Sequence, residues 1–182
     1  MSGTMTPESL ALEGKAAYER EDFVEAVKAF EAAERGYTAS GDTLMTAEMA
    51  NNRSVVLLQS GEAQAALDAV GNTPAIFGEA GDHKRMAMSL GNRAAALAGL
   101  GQKKEAEKIY WESAQILADL GEKDLRASVL QSISRLQMRS GRFMEAAASM
   151  ESGLAGVEKP SLSQRLLKRV IKIPGKLMKR SS

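Results

Sequence analysis

The chain has 182 residues, with 24 Lys and Arg against 23 Asp and Glu, no cysteine and one histidine. The absence of cysteine excludes disulfides, thiolate zinc sites, iron–sulfur clusters and cysteine nucleophiles, and a single histidine excludes a multi-histidine metal site. A hydrophobic content of 44% is enough for a folded core, and no stretch reaches the roughly 18 apolar residues that a membrane span needs.

A 40-residue repeat runs along most of the chain. Glycine recurs every 20 residues and alanine recurs every 40 residues. The glycine series is Gly41, Gly61, Gly81, Gly101, Gly121 and Gly141, and the alanine series is Ala26, Ala66, Ala106 and Ala146. A fixed period of this length is typical of repeat architectures, and glycine commonly supplies the left-handed residue that ends a helix. Each repeat unit is therefore predicted to be two helices with a glycine at each turn.

The predicted helices follow one another in pairs. Between residues 22 and 40, the apolar residues Phe23, Ala26, Val27 and Phe30 have the i, i+3, i+4, i+7 spacing of an amphipathic helix. The predicted spans are 8–20 with 22–39, 43–60 with 62–80, 83–100 with 102–119, and 123–140 with 142–156. After a flexible N-terminal segment 1–7, they form one repeat domain, 8–158, with units at about 8–41, 42–81, 82–121 and 122–158.

The second unit departs from this pattern at Pro74. Proline removes a backbone donor and biases the preceding Thr73 away from helical dihedrals. The span 62–80 is therefore predicted to be kinked or split, with Thr73 capping a short second piece, 74–80. Two interpretations remain at this point, a tolerated irregularity on the outer layer and a functional hinge.

The third unit contains the one histidine, His83, beside Asp82. Because the pair stands at a predicted helix start, Asp82 is expected to cap the helix rather than to form a catalytic dyad with His83. No Gly-rich phosphate loop and no carboxylate cluster at metal-ligand spacing appears in the sequence. We therefore expect no enzymatic activity, no metal and no cofactor.

The last segment, residues 159–182, is basic. It contains eight Lys and Arg and no acidic residue, whereas residues 1–158 contain 16 cations and 23 anions. On a helical wheel its leucines, isoleucines and valine occupy one half, and the cations of the other half are Arg165, Lys168, Arg169 and Lys172. Such a C-terminal amphipathic helix is compatible with capping the last repeat unit, with binding an anionic membrane surface, or with binding an acidic partner. This segment contains no aromatic residue on which a base could stack, which disfavours nucleic-acid binding.

The repeat resembles tetratricopeptide (TPR) repeats. The residues that match best in the first unit are Gly14, Tyr18, Phe23, Ala26, Phe30 and Ala33, and in the third unit Ala94, Leu97, Gly101, Ala106 and Tyr110. The period of 40 exceeds the usual 34 and is similar to the long-helix variety of the family. A HEAT-like helix pair is the competing interpretation. The resemblance implies an all-α, right-handed α-solenoid of four helix hairpins.

In such a solenoid the first helix of each unit lines a concave face that binds peptides. Asn52 and Asn92 stand on these helices, and each amide offers a donor and an acceptor to an extended peptide backbone. The candidate peptide-binding residues are Asn51, Asn52, Gln59, Asn92, Gln131, Arg135 and Arg139. The alternative is that these polar groups are solvated or form hydrogen bonds between helices.

One specialised TPR function is not expected. Co-chaperones of this family grip a C-terminal carboxylate with Lys, Asn and Arg residues of three units. The matching positions here are Ala11, Lys15, Asn52, Met88 and Asn92. Only Asn52 fits that pattern, so the chain lacks most of the fixed donors that this grip needs.

The function expected from the sequence is that of a non-enzymatic adaptor that binds a peptide segment of a partner protein in the concave groove. The alternative is a peripheral membrane module tethered by the basic C-terminal helix. The N-terminus lacks the basic and apolar regions of a signal peptide, so the expected location is cytoplasmic or peripheral at a membrane. The sequence leaves the partner's identity and the oligomeric state open.

Overall fold

The computed structural model describes residues 5–155. This part of the chain consists of nine α-helices without a β-strand, which confirms the predicted all-α class. The helices are α1 (Pro7–Glu19), α2 (Phe23–Ser40), α3 (Thr43–Gln59), α4 (Ala63–Val70), α5 (Thr73–Glu79), α6 (His83–Gly99), α7 (Lys103–Asp119), α8 (Lys123–Met138) and α9 (Phe143–Ala155). Their ends lie within two residues of the predicted ones. The predicted C-terminal amphipathic helix lies outside the described residues.

The glycine series closes the helices as predicted. All six glycines have a positive φ, between +71° and +84°. This left-handed conformation turns the chain out of one helix and into the next, and residues with a Cβ atom adopt it at a cost. The regular spacing of these glycines therefore marks the ends of six helices, α2, α3, α5, α6, α7 and α8.

Position 21, which precedes Gly41 by 20 residues and so continues the glycine series, holds a glutamate instead of a glycine. Glu21 has a φ of +60° and is the only non-glycine residue with a positive φ among residues 5–155. We expect Glu21→Gly to raise the free energy of unfolding by about 0.5–1 kcal/mol, because the relief of left-handed strain exceeds the entropy that glycine adds to the unfolded chain. Thermal unfolding followed by circular dichroism measures the change as a melting temperature higher by roughly 1–4 °C.

The matched control for this prediction is Gly61→Ala. Gly61 has a φ of +84°, and a Cβ atom added there would meet no neighbour within 4 Å. Alanine should therefore lower the melting temperature through backbone strain alone. A lower melting temperature for Glu21→Gly would contradict the prediction.

Aspartates cap three of the helices. The carboxylates of Asp22, Asp42 and Asp82 each accept a hydrogen bond from the backbone amide three residues on, at 3.2, 3.0 and 2.9 Å. The Arg85 amide and guanidinium together hold the pKa of the Asp82 carboxyl below its ordinary value. The predicted capping role of Asp82 is confirmed, and His83 is exposed to solvent.

The break in the second unit is present, but its cap differs from the predicted one. Thr73 is the first residue of α5, and Asn72 precedes it without a side-chain capping bond. The first turn of a helix tolerates Pro74, because the missing N–H has no intrahelical partner there. The Thr73 side chain is buried, and its hydroxyl is hydrogen-bonded to that of Ser89 on α6. Thr73 thus links two helices instead of capping one.

The described residues form two compact bodies, divided after Ile109. In the N-terminal body, α1 packs on α2, α2 on α3, and α3 on both α4 and α5, while α6 packs on α3, α4 and α5. In the C-terminal body, α8 packs on α9. The predicted pairs α1–α2, α3 with α4 and α5, and α8–α9 are therefore helix hairpins.

The alanine series is buried on the second helices of the predicted pairs. Three of the four alanines are 0% exposed and the fourth is 2% exposed. The facing helices contribute small residues that are also buried, namely Gly14, Ser54, Ala94 and Ser134. In the last hairpin, the Ser134 hydroxyl donates to the Ala146 carbonyl at 2.7 Å. Small side chains thus allow close helix contact, which is the reason for their 40-residue spacing.

Candidate functional site

A cavity of about 280 Å³ opens between α1, α2 and α3 in the N-terminal body. Three residues of α1, one of α2 and three of α3 line it. They are Lys15, Tyr18, Glu19, Phe30, Asn52, Val55 and Val56. The three residues of α1, and likewise the three of α3, have the i, i+3, i+4 spacing that puts them on one face of their helix.

The floor of the cavity is apolar and belongs to the core. Phe30 and Val56 are buried and lie in one cluster with neighbouring core residues, and Tyr18 packs against that cluster. The Tyr18 ring lies 6.2 Å from the Phe23 ring, measured between centroids. A floor that is packed from behind in this way keeps its shape when a side chain enters.

The rim of the cavity is polar. Lys15 and Glu19 are exposed, and Asn52 is half-buried. Within residues 5–155, the Asn52 amide makes no hydrogen bond to another group. Its oxygen and its NH₂ group are therefore available at the edge of an apolar hollow, which is the arrangement that an extended polypeptide can use.

The size of the cavity limits what it can hold. A cavity of about 150 Å³ takes up one benzene molecule, whereas sites for drug-sized ligands and cofactors usually measure about 300–1,000 Å³. At about 280 Å³, this cavity has room for one large apolar side chain or two small ones.

Two of the predicted peptide-binding asparagines are bonded to each other. The Asn92 Nδ2 group on α6 donates to Asn51 Oδ1 on α3 at 2.9 Å. Asn51 is 9% exposed, and its backbone carbonyl accepts the Ser54 hydroxyl at 2.7 Å. These two amides therefore join α3 to α6, the role that the sequence left open as an alternative.

The remaining predicted residues stand apart from the cavity. Gln59 is exposed at the end of α3 and does not line it. Gln131, Arg135 and Arg139 belong to the C-terminal body, where all three are exposed on or directly after α8. Of the predicted set, the structure places Asn52 in the cavity. The sequence interpretation did not assign the other six lining residues to the site, although the helical spacing of Val55 and Val56 from Asn52 was a usable signal.

Long-range ion pairs join α3 to α2 and to α6. The Arg53 guanidinium contacts the Glu34 carboxylate on α2 at 3.0 Å. Arg85 contacts Glu48 on α3 at 2.9 Å, and its guanidinium also lies over the Phe77 ring. These pairs join residues that are 19 and 37 positions apart, so a scan of local sequence motifs does not find them.

The basic candidate residues Arg165, Lys168, Arg169 and Lys172 lie outside the described residues. Within residues 5–155, no helix is both long and apolar enough to cross a membrane. In the same part of the chain, no three His, Asp or Glu side chains are grouped as a metal site would require.

The comparisons with known proteins add no assignment. No protein-family model matches the chain, and no curated protein is similar enough to it to count as a relative. A functional proposal for this protein therefore depends on its own residues, above all on Asn52 and the cavity beside it.

Proposed function

We propose that this chain is a non-enzymatic adaptor of the TPR-like α-solenoid type, which binds an extended segment of a partner protein. The observation that carries the proposal is the cavity of the N-terminal body, with its apolar floor and the unengaged Asn52 amide at its rim. The 40-residue series of helix hairpins with small residues at their crossings supports the solenoid.

Binding would combine one apolar and one polar contact. A large apolar side chain of the partner enters the cavity over Phe30 and Val56. The partner's backbone then lies across Asn52, whose amide donates to a carbonyl and accepts from an N–H. Because backbone groups are common to all sequences, the cavity selects the partner residue and Asn52 sets the direction of its chain.

The energies show that one anchor is not enough. Burial of a large apolar side chain contributes about 1.5–3 kcal/mol, and a neutral hydrogen bond contributes about 0.5–1.5 kcal/mol. Association of two molecules costs about 4–15 kcal/mol in lost freedom. The partner segment must therefore make further contacts beyond the cavity, as the serial arrangement of repeat units allows.

The experiment that tests the proposal uses a phage-displayed library of random twelve-residue peptides, selected against the full chain. We expect enriched peptides to share one large apolar residue. Val55→Trp, which fills the cavity, and Asn52→Ala, which removes the amide, should weaken the selected peptides by about tenfold and about threefold, since 1.4 kcal/mol corresponds to tenfold. Fluorescence anisotropy with labelled peptides measures both dissociation constants.

Gln59→Ala is the matched control, because Gln59 is an exposed polar residue of the same helix that does not line the cavity. Its affinity for the selected peptides should equal that of the unchanged chain. Failure to enrich any peptide, or equal binding by Val55→Trp, would show that the cavity is not the anchor. Circular dichroism of each variant verifies that the helices are intact.

A further inference from the structure

Three polar side chains meet in the C-terminal body, between α7 and α8. The Tyr110 hydroxyl is hydrogen-bonded to Ser132. Arg135, one turn further along α8, donates from Nη2 to the Ser132 hydroxyl at 3.4 Å. A buried phenol, a serine hydroxyl and an exposed guanidinium thus lie side by side.

The repeat shows that this cluster replaces an apolar surface. Eighty residues, or two periods, separate it from Phe30, Asn52 and Val55, which line the cavity of the N-terminal body. The corresponding residues are Tyr110, Ser132 and Arg135. Each apolar member of the earlier set has become a hydrogen-bond donor, so the same place in the repeat presents a different chemistry.

Arg135 also differs from the other arginines that bridge side chains. Arg53, Arg85 and Arg142 each contact a carboxylate at about 3 Å. Within residues 5–155, Arg135 has the Ser132 hydroxyl as its hydrogen-bond partner and no acidic partner. Most of its five N–H donors are therefore free to bind an anion from outside the chain.

The phenol remains a donor at neutral pH. Burial raises the pKa of Tyr110 above its ordinary value, against the smaller opposing effects of Ser132 and Arg135. The protonated hydroxyl can turn from Ser132 toward a ligand, because hydroxyl hydrogens rotate.

We propose that Tyr110, Ser132 and Arg135 form a subsite that binds a side-chain carboxylate of an acidic protein segment. A guanidinium binds a carboxylate through two parallel hydrogen bonds, and the Tyr110 hydroxyl supplies a further donor. The Ser132 hydroxyl donates to the Ser128 carbonyl at 3.2 Å and accepts from Arg135, so it positions the guanidinium beside the phenol. Arg139 stands four residues after Arg135, on the same side of the helix, and adds positive potential. The subsite lies in the C-terminal body, so it stands independently of the cavity at Asn52.

A polypeptide fits this subsite better than a free anion does. One exposed guanidinium beside two hydroxyls is a weak isolated site, because an exposed ion pair by itself contributes little to binding. A segment with several acidic residues keeps the next carboxylate close when one dissociates, and this high effective concentration offsets the weakness of a single contact.

The test is a titration of the full, isotope-labelled chain with hexaglutamate, followed by NMR. The Arg135 Nε–Hε and Ser132 amide resonances should shift, and those of Arg35 should not. A local readout is needed because residues 159–182 contain eight cations that also attract the probe. The dissociation constant fitted at Ser132 should rise about 5–20-fold in Arg135→Gln and about 2–5-fold in Tyr110→Phe, as expected for lost hydrogen bonds to a charged group.

The controls are a variant that keeps the aromatic ring, a variant of an arginine outside the subsite, and an uncharged peptide. Tyr110→Phe keeps the ring that Phe30 provides at the corresponding place, so the helices should remain folded. Arg35→Gln removes one exposed cation that pairs with Glu31 on α2 and should leave the fitted constant unchanged. An equal effect of Arg35→Gln, no effect of Tyr110→Phe, or equal shifts with hexaglutamine would overturn the proposal. If a hexathymidylate strand shifts the same resonances and binds more tightly than hexaglutamate, the ligand is a nucleic acid and the proposal is overturned.

Discussion

Replacing Phe77 by alanine is expected to lower the free energy of unfolding by about 3–5 kcal/mol, because the surrounding helices cannot fully close the cavity left by the ring. Phe77 lies on the seven-residue helix α5 and is 1% exposed. The Arg85 guanidinium carbon lies 5.1 Å from the centre of its ring, a contact that contributes about 0.5–1 kcal/mol more at partly exposed sites. Phe77 is therefore the main apolar anchor of the second piece of the interrupted helix.

Urea denaturation followed by circular dichroism measures this loss. The melting temperature should also fall, by roughly 6–20 °C for a domain of this size. The matched control is Phe143→Ala, since Phe143 is 69% exposed at the start of α9. That variant should stay within about 0.5 kcal/mol of the unchanged chain. Similar losses of unfolding free energy in both variants would show that the burial of Phe77 does not stabilise the chain as predicted.

Gly14→Ala is the second substitution with a large expected effect. A Cβ atom at position 14 would lie 2.8 Å from Cδ1 and 2.9 Å from Cε1 of the Phe30 ring. Alanine is favoured over glycine in a helix by about 1 kcal/mol, but overpacking a close-packed core costs about 1–3 kcal/mol. Because the Phe30 ring is packed in the core cluster and can yield only by shifting into the cavity, we expect a net loss of up to about 2 kcal/mol.

A second glycine provides the control for this change. A Cβ atom at Gly78 would meet the Met86 sulfur at 3.2 Å, and a methionine side chain moves easily. Gly78→Ala should therefore be neutral or stabilising. The double variant Gly14→Ala with Phe30→Leu should recover part of the loss, with a coupling energy of about 0.5–3 kcal/mol. Additive effects, or a stabilised Gly14→Ala chain, would contradict the proposed clash.

Gly14 also connects stability with the proposed function. The ring that leaves no room for a Cβ atom at position 14 is the ring that lines the cavity. A displaced Phe30 would change the cavity floor, so Gly14→Ala should weaken the peptides selected with the unchanged chain as well as lower stability.

Much of the fold follows from local sequence signals. The glycine series predicts the helix ends because a positive φ is a local backbone property, and each of the six glycines has one. The alanine series predicts the helix crossings because only small side chains permit close contact, and all four alanines are buried. Even Glu21, which breaks the glycine series, keeps the left-handed conformation of its position.

The prediction that Thr73 caps α5 was wrong, because the residue that binds its hydroxyl is distant in the sequence. Sequence rules place a hydroxyl before a helix that starts with proline, which favours Thr73 as the cap. The hydroxyl is instead taken up by Ser89, which is 16 residues away. Because a buried hydroxyl without a partner costs about 1–3 kcal/mol, the buried Thr73 side chain bonds to Ser89 instead of capping α5.

The candidate site also depends partly on local sequence signals and partly on contacts between distant residues. The sequence by itself determined a series of helix hairpins of 40-residue period, and it placed Asn51, Asn52 and Asn92 on the first helices of their units. Only the tertiary structure decided that Asn51 and Asn92 bond to each other while Asn52 stays available beside the cavity. The physical reason is that a helix face depends on spacing along the chain, whereas the use of a polar group depends on what another helix brings within hydrogen-bonding distance. For Asn51 that group comes from 41 residues away.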